Sequence, residues 1–578
     1  MKKRPFFEKR LGNKGQALVL SYMVIATLIV FSAMLMTKAI SEKNTADRNQ
    51  LKTQAFYMAE GANENAIAAF TFAIANYQVP TSITTFTNTT TFATFNNATV
   101  NTTITRLEAN DRLLTEGGAN ASINVYECNY EVMSTAVHPQ NNTIAVTVHQ
   151  IIARRLIPTF QHAVFYNMDL EVLPGADMTL SGRIHSNQDI YFGGSGSSTD
   201  LKIDTTYVHT AGDIYNDRKD TSGKDNAADV SIRINTKDGS TQFASMDGLD
   251  SSDPNWIADS SRWADLTTPL DGTVQTAAQG VTKLTAPSVG TTQPGGYYNS
   301  NAGLVISADS AGNVSVVQKK ADGTTKTLVK NTDYDSSAIT PTTGLQNLRE
   351  GKSINMVSVN LKKLAGGSGT TCGGSSCPNT LPYNGLIYTT NSNTGGGREP
   401  GIELTTDKNL IARNGGLTVV SNDPVYLLGD YNYNPNSPSA TPQPAAIIAD
   451  AVNLLSNAWN DGNSGASGWS NRNATETTYN TAFVAGNNNT AGSQYSGGLE
   501  NYPRLLENWS NIYMHITGSF VALWNSVIGT GAWPGTGSPY YNAPKRDWHY
   551  NTNFNNVNNL PPFTPMAVET QRVAWWSE

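Results

Sequence analysis

Charge is scarce in this chain. Only 15% of its 578 residues are Asp, Glu, Lys or Arg, against about 25% in ordinary cytosolic domains. Asn, Thr, Ser and Gly fill the difference, a composition suited to turn-rich β architecture outside the cytoplasm. Cysteine is limited to three residues. Cys372 and Cys377 bracket a Gly-Gly-Ser-Ser loop short enough to close as a disulfide in an oxidising compartment. A metal pair would need a second Cys/His pair, and none lies nearby; reduced loop thiols are the remaining alternative. Cys128 shares a predicted strand face with Tyr126 and Tyr130 and reads as a buried free thiol.

Catalytic signatures are missing as well. The seven histidines form no H-E-x-x-H arrangement, G-x-S-x-G does not occur, and Gly351-Lys352-Ser353 has Gln346 where a phosphate loop needs Gly. Asp247, Asp250 and Asp253 lack the spacing of a calcium loop. Glu500 and Glu507 stand seven apart with Arg504 between them, the spacing of a surface ion-pair ladder on a helix. His185 with Asn187 and Asp189 suits a turn. No catalytic residue, metal ligand or cofactor is assigned, and the expectation is a protein that is not an enzyme.

Basic charge is confined to one place. Six Lys/Arg against Glu8 precede Gly15, giving that segment +5, so the chain's net −7 leaves −12 on the remainder. An acidic body argues against phosphate-backbone binding as the main task; nucleic acid is not the default partner. Ala17 to Thr37 then carries no charge, and 21 residues at 1.5 Å rise span about 31 Å, a bilayer's hydrocarbon core. The basic flank places the N-terminus in the cytoplasm. A cleaved secretory signal would have a shorter apolar region.

The helical pattern outlasts the membrane. No Pro occurs from Gly15 to Gln78, and Gly61 is the sole Gly after Gly15 in that stretch. Ile40, Ala46, Leu51, Ala55, Met58, Ala62, Ile67 and Ala69 recur at helical spacings among polar positions. A helix over 16–78, membrane-spanning at 17–37, would be about 90 Å long and must be buried against something, either its own globular body or neighbouring copies.

A basic leader ending in Gly15, an apolar helix from Gln16 and the segment Ala55-Phe56-Tyr57-Met58-Ala59-Glu60-Gly61-Ala62 resemble a type IV prepilin. The resemblance points to the PilX-like minor pilins and the large minor pseudopilins of type II secretion. It covers roughly the first 70 residues. It implies cleavage after Gly15 by a prepilin peptidase, methylation of Gln16, and an assembly helix that includes Ala17, Leu18, Leu20, Phe56 and Glu60. The implied partners are the inner membrane and other pilin or pseudopilin subunits. Ordinary pilins carry Glu at the fifth mature position; here it is Leu20. A charged amine in an apolar bundle is costly without a partner, which points to a minor or tip subunit.

The body is expected to be mainly β, making the fold α+β. Residues 79–160 read as linker and strands, including Ile123–Met133 and Thr143–Arg154. Over 161–460, short apolar stretches end at Gly/Asn/Asp corners, suiting a parallel β-helix-like solenoid with insertions at about 200–380; a β-sandwich array is the alternative. A hairpin is expected at 304–319. Residues 461–578 form a C-terminal β-rich region, whose Trp and Tyr residues suit core packing or a carbohydrate or partner surface. The rival functions are a membrane-anchored adhesin-like protein and a tethered β-helix polysaccharide-active enzyme.

Overall fold

The computed structural model describes residues 14–116, 123–194, 200–219, 230–235, 241–246, 248, 250–253, 273–488, 490, 498–533 and 540–578. Residues 1–13, with the six charged residues that precede Lys14, and Asp247 lie outside the described residues. Helix α1 runs Lys14–Ala75, 62 residues. It begins slightly before the expected start and ends before 78. Its end is set by Tyr77, which is left-handed (φ 55°). The Gln78 amide reaches back to the Ala73 carbonyl at 2.9 Å and the Tyr77 amide to Ile74 at 3.1 Å, a Schellman closure.

Burial divides α1 in two. Residues 15–50 are exposed throughout. From there Ala55, Met58, Ala59, Ala62, Ala66, Phe70, Ala73 and Ile74 are buried at three- and four-residue spacing, one stripe of a 3.6-residue helix. The small residues let the helix lie close to its support, a sheet of long antiparallel strands. These are β1 (Thr85–Phe92), β2 (Ala98–Arg106), β3 (Arg112–Glu116), β4 (Ile123–His138) and β5 (Asn141–Pro158). The spatial order is β1-β2-β4-β5, with β3 beside the first half of β4. Alternate residues of β4 (Cys128, Tyr130, Val132, Ser134, Ala136) and β5 (Val146, Val148, Ile152) are buried, while Met133 and Val137 are exposed. That is the period-2 alternation of a sheet covered on one face. Midway along, Asn63 is buried and satisfied: its Oδ1 accepts from Ser134 Oγ at 2.6 Å and its Nδ2 donates to the Val148 carbonyl at 3.2 Å.

After β5 the chain turns through Thr159–Gln161 into short strands that pair in parallel. Val164–Tyr166, Leu170–Val172 and Met178–Ser181 form a first coil; Ile184–Ser186, Ile190–Phe192 and Leu201–Asp204 lie on it, strand for strand. Val208–Thr210 and Val274–Gln275 extend the stack. The chain then crosses over to Leu304–Ala308, the start of a second series through Leu386–Asn391, Leu417–Ser421, Ala445–Ala449, Ala482–Asn487 and Phe520–Asn525. This last strand pairs in parallel with Val164–Tyr166, Phe520 opposite Val164. One face therefore carries ten parallel strands, with the chain's first coil in its interior. Leu304, Ile387, Val419, Ile447, Phe483, Phe520, Val164, Ile184, Val208 and Val274 form a single register column, all inside one apolar core. Leu304–Ala308 also makes an antiparallel hairpin with Val314–Lys319.

Coils continue past 460 to Lys545–Tyr550. Met566–Ser577 then returns to the first sheet and pairs antiparallel with β5. Residues 159–565 are thus inserted between two adjacent strands. The crossover (residues 276–303) runs past this exit: Thr285 pairs with Val568, and the Tyr297 ring stacks on Tyr77 with centroids 3.8 Å apart.

The seam between first and last coils leaves no room at Gly182. Its φ is +89°, and a Cβ there would stand 2.8 Å from the Tyr550 ring and 2.9 Å from Ala163 Cβ. Gly182→Ala is expected to destabilise the body by about 2 kcal/mol or more through strain and overpacking. Equilibrium urea unfolding of the full chain in detergent measures it, with Gly280→Ala, also at positive φ but with open space around its Cβ, as the control for backbone strain alone.

Candidate assembly helix

Gly15 and Gln16 lie in the first turn of α1, exposed, and a Cβ on Gly15 would touch nothing within 4 Å. Ala17, Leu18 and Leu20 follow on the same bare segment, with Leu18 60% and Leu20 66% exposed. Large apolar side chains from Val19 to Met36 point outward all round, and an 18-residue window of α1 has mean hydropathy 2.4 with none of it buried. Such a surface is not stable in water. The polar residues in it are prepared for an apolar medium: Ser21, Thr27 and Thr37 each donate a hydroxyl to the carbonyl four residues earlier at 2.8 Å. Those three hydroxyl protons are paired within the helix itself. The helix is long and apolar enough to cross a membrane, by length and composition.

Phe56 and Glu60 sit where the bare helix meets the sheet, both half-buried. Phe56 packs edge-on against Trp575 of the C-terminal strand, centroids 5.8 Å apart. Gly61 lets the Phe92 ring approach; a Cβ there would be 3.4 Å from it. Glu64 pairs with Arg572 at 2.6 Å. The fit of Phe56 with Trp575 joins positions 519 residues apart, which no local spacing signals. Asn63 was equally invisible, being one polar residue in a helical stripe read for its apolar members.

The remaining sequence candidates fall elsewhere. Glu500, Arg504 and Glu507 are not on a surface helix. Leu499–Asn501 is a 3-10 turn and Arg504–Leu505 a short strand, and all three charged residues are buried. The ion-pair-ladder expectation is overturned because the segment is a coil of the stack, where every side chain faces core or corner. Glu507 accepts the Ser456 amide and hydroxyl, both at 2.6 Å, while burial pushes its carboxyl up to about 7. Arg504 pairs with Glu350. Glu500 accepts the Leu173 amide at 3.2 Å. These carboxylates fasten coil to coil.

Cys372 and Cys377 are disulfide-bonded, and Cys128 is free and buried, its thiol pushed up by burial. Asp250 accepts the Asn216 amide at 3.0 Å, a turn contact. Among the described residues, no three His, Cys, Asp or Glu side chains group as a metal site. Of the C-terminal aromatics, Trp524 and Trp548 are buried, whereas Trp575 and Trp576 are 50% and 40% exposed.

No protein-family model matches this chain, and no curated protein does. Among solved structures, the competence-associated pilin ComZ from Thermus thermophilus aligns over 91% of this chain and 98% of its own, at 8% identity and TM-score 0.22. A superposition that loose does not make two folds equivalent, and the architecture stands on the strand pairing above.

The two halves of α1 differ in what a charge would do. Ile29→Arg, on the bare half, is expected to cost about 2.5–3.5 kcal/mol of membrane insertion and to leave the unfolding midpoint of the body unchanged. Ala55→Arg should insert normally and unfold the helix–sheet contact. Carbonate extraction of membranes and thermal unfolding in detergent separate the two outcomes.

Proposed function

We propose that this chain is a pilin-like subunit, processed after Gly15 and assembled through α1 into a type IV pilus or a type II secretion pseudopilus, in a minor or tip position. The division of α1 carries the reading: a bare apolar half suited first to a bilayer and then to a bundle of like helices, and a second half that fixes the body to it. A simple anchor needs only the first half. An anchor for an adhesin would not require a helix continuous with the core of the first sheet.

Position follows from two features. Leu20 supplies no carboxylate to neutralise the amino terminus of a neighbouring Gln16, and an uncompensated ammonium in an apolar bundle is strongly disfavoured. The body adds a ten-strand parallel stack to the helix-bearing sheet, and close helical packing of subunits leaves little space for such bulk. Both fit a subunit used in few copies or at an end. The chain would sit with its N-terminus cytoplasmic and its body on the far side, with a prepilin peptidase and other pilin subunits as partners. A non-enzymatic role agrees with buried carboxylates already committed to the coil contacts.

Processing tests the proposal. Co-expression with a prepilin peptidase should shorten the wild-type chain by its first fifteen residues, and Gly15→Ala should block that shift, read by intact mass. Identical masses with and without the peptidase would reject the pilin reading. Leu20→Glu should raise the fraction of the protein found along the shaft, counted by immunogold labelling; an unchanged distribution removes the argument from Leu20.

A further inference from the structure

A cavity of about 220 Å³ opens where three parts of the chain meet. The helix-bearing sheet contributes Ile123 and Ile157, the C-terminal strand Glu569, the crossover Gln279 and Leu284, and the coil stack His162, His185 and His209. His162 comes from the turn before the stack's first coil, whereas His185 and His209 arise from a change in one register column. On the outward side of the ten-strand face it reads Val420, Ile448, Val484, Val521 and Phe165, and then becomes His185, His209 and Gln275.

Hydrogen bonds fix the tautomers. Asn187 accepts the Leu284 amide through Oδ1 at 2.9 Å and donates through Nδ2 to the Leu284 carbonyl at 2.6 Å. Its Oδ1 therefore faces His185 Nε2, 3.1 Å away, as an acceptor, so that nitrogen carries the proton. His162 Nδ1 stands 3.3 Å from the Thr159 carbonyl and must likewise donate. The nitrogens left over, His162 Nε2 and His185 Nδ1, are bare lone pairs, both buried and without a partner among the described residues. The two rings are 5.7 Å apart, and His209 lies stacked on Tyr207 at 3.6 Å.

Among the described residues that line the cavity, the one carboxylate is Glu569, which lies 3.6 Å from Arg155. Arg183, donating to the Gln161 carbonyl at 2.7 Å, adds positive charge beside His162. The titratable groups around the pair are thus His209, Tyr207, Arg183 and Glu569, with one carboxylate already near a guanidinium.

We infer that this joint is an acid-sensitive latch, holding the coil stack and crossover against the helix-bearing sheet while His162, His185 and His209 are neutral and releasing them when the imidazoles take up protons. Burial pulls His185 down to about 4 and His209 to about 3, and burial, with repulsion from a protonated His185 and from Arg183, holds His162 well below 6.5. An opened joint returns each imidazole to about 6.5. The open form therefore binds more protons below pH 6.5, and the closed form loses stability as pH falls from 6.5 towards 4.

Hydrogen exchange on the full chain in detergent tests this. The Leu284, Thr285 and Val568 amides, bonded across the joint, should lose protection by about tenfold or more between pH 6.5 and 4.5, after correction for intrinsic rates. The Leu417 and Val425 amides, inside the stack, should not. His185→Gln and His209→Gln should each remove part of that acid loss, and His209→Gln, at a position not fully buried, decides the matter where His185→Gln fails to fold. Unchanged protection at the joint down to pH 4.5, or equal acid loss in wild type and the folded variants, overturns the inference.

Discussion

Everything in the body hangs on one antiparallel pairing, that of β5 with Met566–Ser577. It runs from Pro158 opposite Met566 to Val148 opposite Ser577. Paired strands lie about 5 Å apart, so the roughly four hundred residues between them must leave and return at one place. A stack that starts at one end and finishes at the other cannot do this. The chain solves the problem by entering the stack in its interior, winding outward to Val274–Gln275, crossing to Leu304–Ala308 and winding back until Phe520 meets Val164. Closing so long an insertion is thermodynamically modest, because the entropic cost rises only logarithmically with loop length.

That route explains the composition. The main face is buried on both sides: inward by the stack's own core, outward by the crossover and the segment before the C-terminal strand, where Val420, Ile448, Val484 and Val521 pack with Tyr298 and Phe554. Strands such as Leu417–Ser421 and Ala445–Ala449 are buried at every residue, and so read as continuous apolar runs rather than alternating ones. A chain with so many doubly buried strands has few places for charge. Asp450 shows what the remaining carboxylates do, accepting the Val527, Ile528 and Gly529 amides at a corner.

Local structure was legible in the sequence where its cause was local. The absence of Pro, with Gly61 the one internal Gly, exposed the length of α1, whereas the recurrence of apolar residues from Ile40 did not mark where it begins to pack, since Ile40 and Ala46 are exposed. The hairpin around Asp309–Asn313 was legible from its turn residues, with the Asp309 carboxylate accepting the Ala311 and Asn313 amides. The order of coils was not, because no property of Val164 announces a partner 356 residues away. Glu500, Arg504 and Glu507 misled for a related reason. Their spacing is equally compatible with a helix and with a coil, and only burial by distant strands chooses between them.

The same topology fixes how load travels. A pull on the bare half of α1 passes to its packed half, whose stripe from Ala55 to Ile74 rests on β4 and β5. The helix and its sheet meet the stack through β5, its partner strand, the crossover contacts at Asn76, Tyr77 and Thr285, and Asn124 of β4, which donates to the Asn555 carbonyl at 2.8 Å. The antiparallel ladder between β5 and Met566–Ser577 lies between the helix and ten parallel strands. Its hydrogen bonds run perpendicular to its strands, so tension along β5 shears many of them together instead of opening them one at a time. A long β5 paired along most of its length is therefore the element that a tethered body of this size requires, and a short pair at the same junction would not serve.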